Sequence, residues 1–429
     1  MQKKRLQKDE QLLHILKENL APALGCTEPI AVAYSAARAS QEAEGNLINI
    51  QVKVNRNIYK NGLKVGIPGT DKRGLYIAAA LGYLDGDPTR NYEVIEDISQ
   101  NQIEKAQELV AKGLVNVDIA EEMERLYIET ILTTEDRKIR VITLDHHLNV
   151  VDVESVIEGS LSPLNYGNEV EDKSPDLIQK FSLNEILDFV NNVDLDQLDI
   201  LKEGIELSRE IASEGLKQKP TLASGLKQMI ESNLCKDNLI NRSQMLCAAA
   251  SEARMTGSKQ AVMSNSGSGN QGITAFLTVI GAADVMEVKQ EKLYRALALS
   301  NLLTIYIKSH LGVLSAMCGA GIAAGTGASA GVVYLHDGDQ EEIIKTTCNM
   351  LGVISGMICD GAKEGCAYKV ALSAEWAVRS ALLAMEGITI DSSNGILADN
   401  FRELIESIGQ INKPGMTETD KEILKVMLQ

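Results

Sequence analysis

Cys318, Cys359 and Cys366, three of the seven cysteines in this 429-residue sequence, each lie within two residues of a glycine. Cys318 lies in Ser315-Ala-Met-Cys-Gly-Ala-Gly-Ile-Ala-Ala-Gly-Thr-Gly-Ala-Ser-Ala-Gly331, and Cys359 and Cys366 lie in Ile358-Cys-Asp-Gly-Ala-Lys-Glu-Gly-Cys366. Glycine lets backbone approach a ligand closely and exposes amide N–H groups to it. Thiolates among such amides suit an iron–sulfur cluster, whose irons take cysteine ligands and whose sulfurs accept hydrogen bonds. Three ligands, not four, would leave one iron open to substrate as a Lewis acid. The competing reading is packing, because free cysteine is among the most buried residue types. Zinc usually pairs its cysteines two to four residues apart, closer than Cys359 and Cys366. On a helix those two would share one face about 10 Å apart. Gly361 and Gly365 are equally compatible with an unwound segment. Cys235, Cys247 and Cys348 have no glycine setting and are read as packing.

A fourth thiol, Cys26, lies in Ala21-Pro-Ala-Leu-Gly-Cys-Thr-Glu-Pro29. Pro29 is placed to begin a helix, so Cys26 sits near a helix N-terminus, where the amides and macrodipole favour a thiolate. A tight turn with a buried cysteine is the plainer alternative. The segment Ala261-Val-Met-Ser-Asn-Ser-Gly-Ser-Gly-Asn-Gln-Gly272 precedes another helix. Its hydroxyls, amides and backbone N–H groups make an anion site for a carboxylate or a phosphate; a capped turn is the alternative. Lys308 and His310 precede Cys318 by two or three helical turns, and a core or capping role competes with a catalytic one. His146-His147 falls at a strand end or turn and reads as a surface pair.

Residues 8–20 have the apolar spacing of a helix, and Ile48, Ile50, Val52 and Val54 alternate as in a half-buried strand. Asn61-Gly62 marks a turn and residues 65–70 an irregular loop. Helices are expected at 74–84 and 101–113, and strands at 126–132, 138–144 and 148–157. Beyond a linker at 161–175 nearly everything reads as helix, including a closely packed helix pair across residues 311–335. The expected fold is α+β and multidomain: a mainly α-helical catalytic domain with an inserted smaller α+β domain. N-terminal helices (1–45) pack on the catalytic domain, 46–160 is the insertion, and 161–429 is the helical iron–sulfur domain.

Composition limits the partners. With 42 Lys plus Arg against 59 Asp plus Glu, the net charge is −17. Such a chain is poorly suited to phosphate backbones or anionic membrane surfaces. A charged N-terminus and an odd number of cysteines point to a cytoplasmic protein with reduced thiols. A small-molecule substrate is expected, with no nucleic acid and no membrane; a homodimer is compatible with this.

The assembled motifs resemble the L-cysteine desulfidase family, relatives of the α chain of the iron–sulfur L-serine dehydratases. The resemblance rests on Gly25-Cys-Thr-Glu-Pro29, Asn61-Gly62 with Ile67-Pro-Gly-Thr70, Ser264-Asn-Ser-Gly-Ser-Gly-Asn270, Tyr306-Ile-Lys308, Leu314-Ser-Ala-Met-Cys-Gly319 and Ile358-Cys-Asp-Gly-Ala-Lys363 with Gly365-Cys366. It implies a [4Fe–4S] cluster on Cys318, Cys359 and Cys366, with Cys26 as catalytic base. It implies substrate binding through Ser264, Asn265, Ser266, Gly267 and Asn270, with Thr70 and Lys308 beside the substrate. The reaction implied is elimination of L-cysteine to pyruvate, ammonia and hydrogen sulfide without pyridoxal phosphate. The short spacing of Cys359 and Cys366 is the desulfidase-like form. The rivals are an iron–sulfur L-serine dehydratase, a pyridoxal-phosphate lyase with its phosphate on residues 264–272, and a non-catalytic redox-sensing protein.

Overall fold

A computed structural model describes residues 2–157, 159–164, 166, 177–312 and 315–429, with side chains from residue 6 onward. The first part of the chain runs α1 (Gln2–Asn19), β1 (Leu20–Ala23), α2 (Thr27–Ser40), β2 (Leu47–Val54), α3 (Arg56–Gly62), α4 (Leu75–Asp85), α5 (Gln100–Ala111), β3 (Val115–Ile119), β4 (Tyr127–Thr134), β5 (Lys138–Leu144) and β6 (Val150–Val156). The second part runs α6 (Leu183–Asn192), α7 (Asp199–Gly215), α8 (Leu222–Glu231), α9 (Leu239–Met255), β7 (Val262–Asn265), α10 (Gly269–Met286), α11 (Gln290–Leu311), α12 (Gly325–Leu335), α13 (Gln340–Ile354), α14 (Cys366–Met385), α15 (Phe401–Gln410) and α16 (Thr417–Met427). The protein is thus mainly helical α+β. No described helix is long and apolar enough to cross a membrane.

Strand order in the larger sheet is β3-β2-β4-β5-β6. Only the β2–β3 pair is parallel, and the helices between those strands supply the crossover that parallel pairing requires. Along β2 the side chains of Ile50, Val52 and Val54 are buried in turn, the period of two that a one-sided sheet imposes. They pack with α4 and with Ile30, Val32 and Ala33 of α2 into one apolar core. A second, larger core joins Leu12, Ile15 and Leu16 of α1 with α6, α7 and the helices from α9 to α15. The chain crosses from one core to the other in the turn at residues 24–26, which carries Cys26.

Several expected elements change. Asn61-Gly62 is the end of helix α3, not a turn: Asn55 accepts from the Ile58 amide as its cap, and Gly62 lies against Leu75 of α4. Leu20, expected at the end of the first helix, and residues 21–23, expected in a turn, form β1, which pairs antiparallel with β7 from Leu20↔Asn265 to Ala23↔Val262. In place of a helix pair across 311–335 there is one helix, α12, entered through a wide π-type turn at Ala320–Ala324. Much of the linker expected at 161–175, and Leu314, lie outside the described residues.

Candidate functional site

Cys26 occupies the cap position of α2 in an extended conformation, and its side chain does not cap the helix. Its Sγ donates instead to Glu28 Oε2 at 2.7 Å. Asn61 Nδ2 donates to the other Glu28 oxygen at 2.8 Å. Burial alone would raise the Glu28 carboxyl. His147, the Cys26 thiol and the Asn61 amide outweigh it and hold the group below its ordinary value. The thiolate expected at Cys26 is opposed: burial, then the Glu28 carboxylate, push the thiol well above its usual range, with Arg254 pulling the other way. At rest the pair is a thiol donating to a carboxylate.

Cys318 and Cys359 are brought together by a short backbone pairing. Met317 and Ile358 form an antiparallel bridge. Cys318 N donates to Met357 O at 2.8 Å, and Cys359 N to Ala316 O at 2.6 Å. The chain is unwound from Cys359 to Gly365, with Gly361 at φ +85, a conformation that side chains disfavour. A Cβ at Gly361 would also lie 2.2 Å from the Lys60 carbonyl oxygen. Cys366 then starts α14, its Sγ 3.5 Å from Gly361 O. Burial, followed by the neighbouring Cys359 and Cys366, pushes Cys318 up to about 12. Lys363 and Lys369, both paired with Asp360, counter the charge that thiolates here would carry. All seven cysteines are free.

These thiols meet the Cys26 turn. Cys26, Val65 and Met255 pack with Ala362 and Cys366. Asn61 Oδ1 stands 3.9 Å from Cys359 Sγ while its amide nitrogen holds Glu28. Lys308, in the last turn of α11, is buried and pushed down to about 8 by that burial; Cys359, Cys318 and Glu28 act against it. Among the described residues its ammonium makes no hydrogen bond or ion pair.

The Ser264–Asn270 loop closes the third side. A Cβ at Gly272 would lie 1.7 Å from Met263 O, so glycine is what lets α10 start tight against β7. Ser266 and Gly267 both take positive φ, 49 and 76. The side chains expected to grip an anion are engaged within the protein. Ser264 Oγ donates to Ala21 O at 2.7 Å, Asn265 Nδ2 to Asn301 Oδ1 at 2.9 Å, and Ser266 Oγ to Asn265 Oδ1 at 2.8 Å. Asn270 Oδ1 accepts from Ser251 Oγ at 3.3 Å. The loop's open donors are backbone: among the described residues, the amides of Gly267, Gly269, Asn270 and Gln271 have no hydrogen-bonded partner, as the first turn of a helix leaves them.

Thr70 closes the turn 67–70, its hydroxyl donating to Ile67 O at 3.0 Å. That turn reaches the site through Pro68, whose Cγ would lie 2.3 Å from a Cβ at Gly25. His147, read from the sequence as surface, is buried at the β5–β6 turn beside Gly267 and Glu28. Among the described residues its Nε2 has no partner, and leaving such an atom unpaired costs about 1–3 kcal/mol. Gln271 Oε1, next to Gly319, is a second orphan. Arg254, at the end of α9, was also missed; it is 3% exposed and donates from Nε to Gly25 O at 2.9 Å.

The serine dehydratase alpha chain family model matches residues 89–425. This protein belongs to that family. As a serine dehydratase alpha chain family member it is a relative of lyases of the serine dehydratase type. It is 41% identical over 423 residues to a UPF0597 protein of Clostridium tetani, covering 97% of this chain and 98% of the relative. A UPF0597 protein of Alkaliphilus oremlandii is 39% identical over 419 residues, 97% of each chain. One from Caldanaerobacter subterraneus is 40% identical over 420 residues, 97% of this chain and 98% of the relative.

Proposed function

We propose that this family member is an iron–sulfur-dependent L-cysteine desulfidase converting L-cysteine and water to pyruvate, ammonia and hydrogen sulfide. The observation that carries the reading is the convergence of Cys318, Cys359 and Cys366 on the Cys26–Glu28 pair. Among the described residues no three His, Cys, Asp or Glu side chains stand close enough to hold a single ion. Zinc would crowd its ligands around one centre at about 2.0–2.3 Å, whereas the thiolates of a cubane bind different irons. The donor set also fits: three free thiols close enough to repel one another as thiolates, with lysines alongside.

A [4Fe–4S] cluster held by Cys318, Cys359 and Cys366 would supply a Lewis-acidic iron to the departing sulfur. This chain's residues do the rest. The loop from Ser264 to Asn270 takes the substrate carboxylate, fixing the Cα–H bond toward Cys26. Ser264, Asn265, Ser266 and Asn270 act by shaping the loop, and Gly267 by opening its amide. Thr70 acts by holding the turn against Gly25. From the resting thiol–carboxylate pair, Sγ passes its proton uphill to Glu28 Oε2 as it takes the proton from Cα. The Cα–H electron pair becomes the new C=C bond as the C–S bond breaks. Lys308 holds a proton beside the departing sulfide. Aminoacrylate tautomerises and hydrolyses to pyruvate and ammonia.

The family's name favours one second reading, L-serine dehydration with the same residues acting on a hydroxyl leaving group. Anaerobically purified protein should form pyruvate from L-cysteine faster than from L-serine, with sulfide equal to pyruvate. Pyruvate from L-serine alone would favour the second reading, and pyruvate from neither would reject both.

A further inference from the structure

Resting on the amino-acid lyase reading above, we infer that Arg254 is the charged group that binds the substrate carboxylate. Its place in the fold is the argument. Nε donates to the carbonyl of Gly25, the residue before Cys26. The guanidinium also packs against the start of α10: a Cβ at Gly269 would stand 2.3 Å from Nε and 2.8 Å from Cζ. Arg254 therefore spans the gap between the proposed base and the anion loop.

Its electrostatics are incomplete. A buried charge is normally paired, because removing it from water without a partner is costly. Arg254 is buried, yet among the described residues it has no carboxylate partner, and its two terminal nitrogens make no hydrogen bond. Those nitrogens form a planar fork that matches a carboxylate with two parallel hydrogen bonds. The unpartnered amides of Gly269, Asn270 and Gln271 lie at the same helix start and favour the same charge. Arg254 also supplies what the loop's own side chains do not, since Ser264, Asn265 and Ser266 donate to Ala21, Asn301 and Asn265. The ligand class is an α-amino carboxylate, anchored by Arg254 with its Cα toward Cys26.

The test uses L-alanine, which has the carboxylate but no leaving group, and L-alaninamide, which lacks the negative charge. Calorimetry on the anaerobic holoenzyme should show wild type preferring L-alanine. In Arg254→Gln that preference should vanish, with L-alanine binding at least about 30-fold weaker and iron content unchanged. KM for the reacting amino acid should rise more than kcat falls. Arg254→Lys, which keeps the cation but not the fork, should recover part of the affinity and the preference, and it carries the test if Arg254→Gln does not fold. Wild-type affinity and preference in either folded variant would overturn the assignment and leave the elimination reading intact. A wild-type protein that neither binds L-alanine nor makes pyruvate would overturn both.

Discussion

The two cores of the molecule bring different chemistry to one seam. The helical core contributes sulfur and positive charge, all at element ends: Cys318 ahead of the π-type turn, Cys366 opening α14, Lys308 closing α11, Arg254 closing α9. The core around the sheet contributes hydrogen-bonding and proton-accepting groups: Glu28 on α2, Asn61 on α3 and His147 at the β5–β6 turn. Neither half holds a complete site. Helix ends leave backbone groups and side chains free to face a ligand, while the sheet-bearing half sets the acidity of what it meets.

The strongest way to break this contrast is to remove the group at the crossing point. Cys26→Ala should keep the cluster and bind substrate, while turnover falls about 10² to 10⁴-fold, the usual contribution of a positioned base. Loss of iron in that mutant would instead make Cys26 a ligand. The seam itself can be loosened next. Lys60, buried on α3, pairs with Asp420 of α16, and the Lys60 carbonyl packs on Gly361. Asp420→Ala leaves that ammonium unpaired and should cost about 3 kcal/mol, the low end for a broken buried pair, read by denaturant unfolding. An unchanged midpoint would show that α16 does not brace the cysteine loop.

Asn61 joins the halves most directly, so Asn61→Ala should reduce turnover about 10 to 100-fold, as supporting contacts around metal ligands do. An unaltered rate would break the link between Glu28 and Cys359. The smallest effect is a pH dependence. Burial holds His147 below its ordinary pKa; Glu28 pulls it up and His146 down. Below about pH 6.5 the unfolded chain binds a proton there that the folded protein does not, so this residue makes stability fall as pH falls. The melting temperature of His147→Gln should therefore drop less between pH 7 and pH 5 than that of wild type. An equal drop would show that His147 titrates normally.

Long periodic segments such as α7 were legible in the sequence because an apolar face repeats over many turns. Strand β1 was not: it has four residues, includes Pro22, and exists only because β7 lies beside it. That Cys318, Cys359 and Cys366 lie in glycine-rich, irregular backbone was legible, and at Gly361, with φ +85, the unwound loop requires the glycine. His147 and Arg254 were not. Arg254 meets Gly25 and Gly269, and His147 lies beside Glu28 and Gly267, each pair joined only by the tertiary fold. The polarity of the Ser264–Asn270 loop was legible too, but not that its side chains face inward, because Ala21 and Asn301 come from other elements.

The most direct measurement of the central claim is iron and acid-labile sulfide in anaerobically purified single mutants. Cys318→Ala, Cys359→Ala and Cys366→Ala should each lose the cluster and its visible absorption. Cys235→Ala, Cys247→Ala, Cys348→Ala and Cys26→Ala should keep the wild-type iron and sulfide content. Full iron and sulfide in any of the first three would contradict the account.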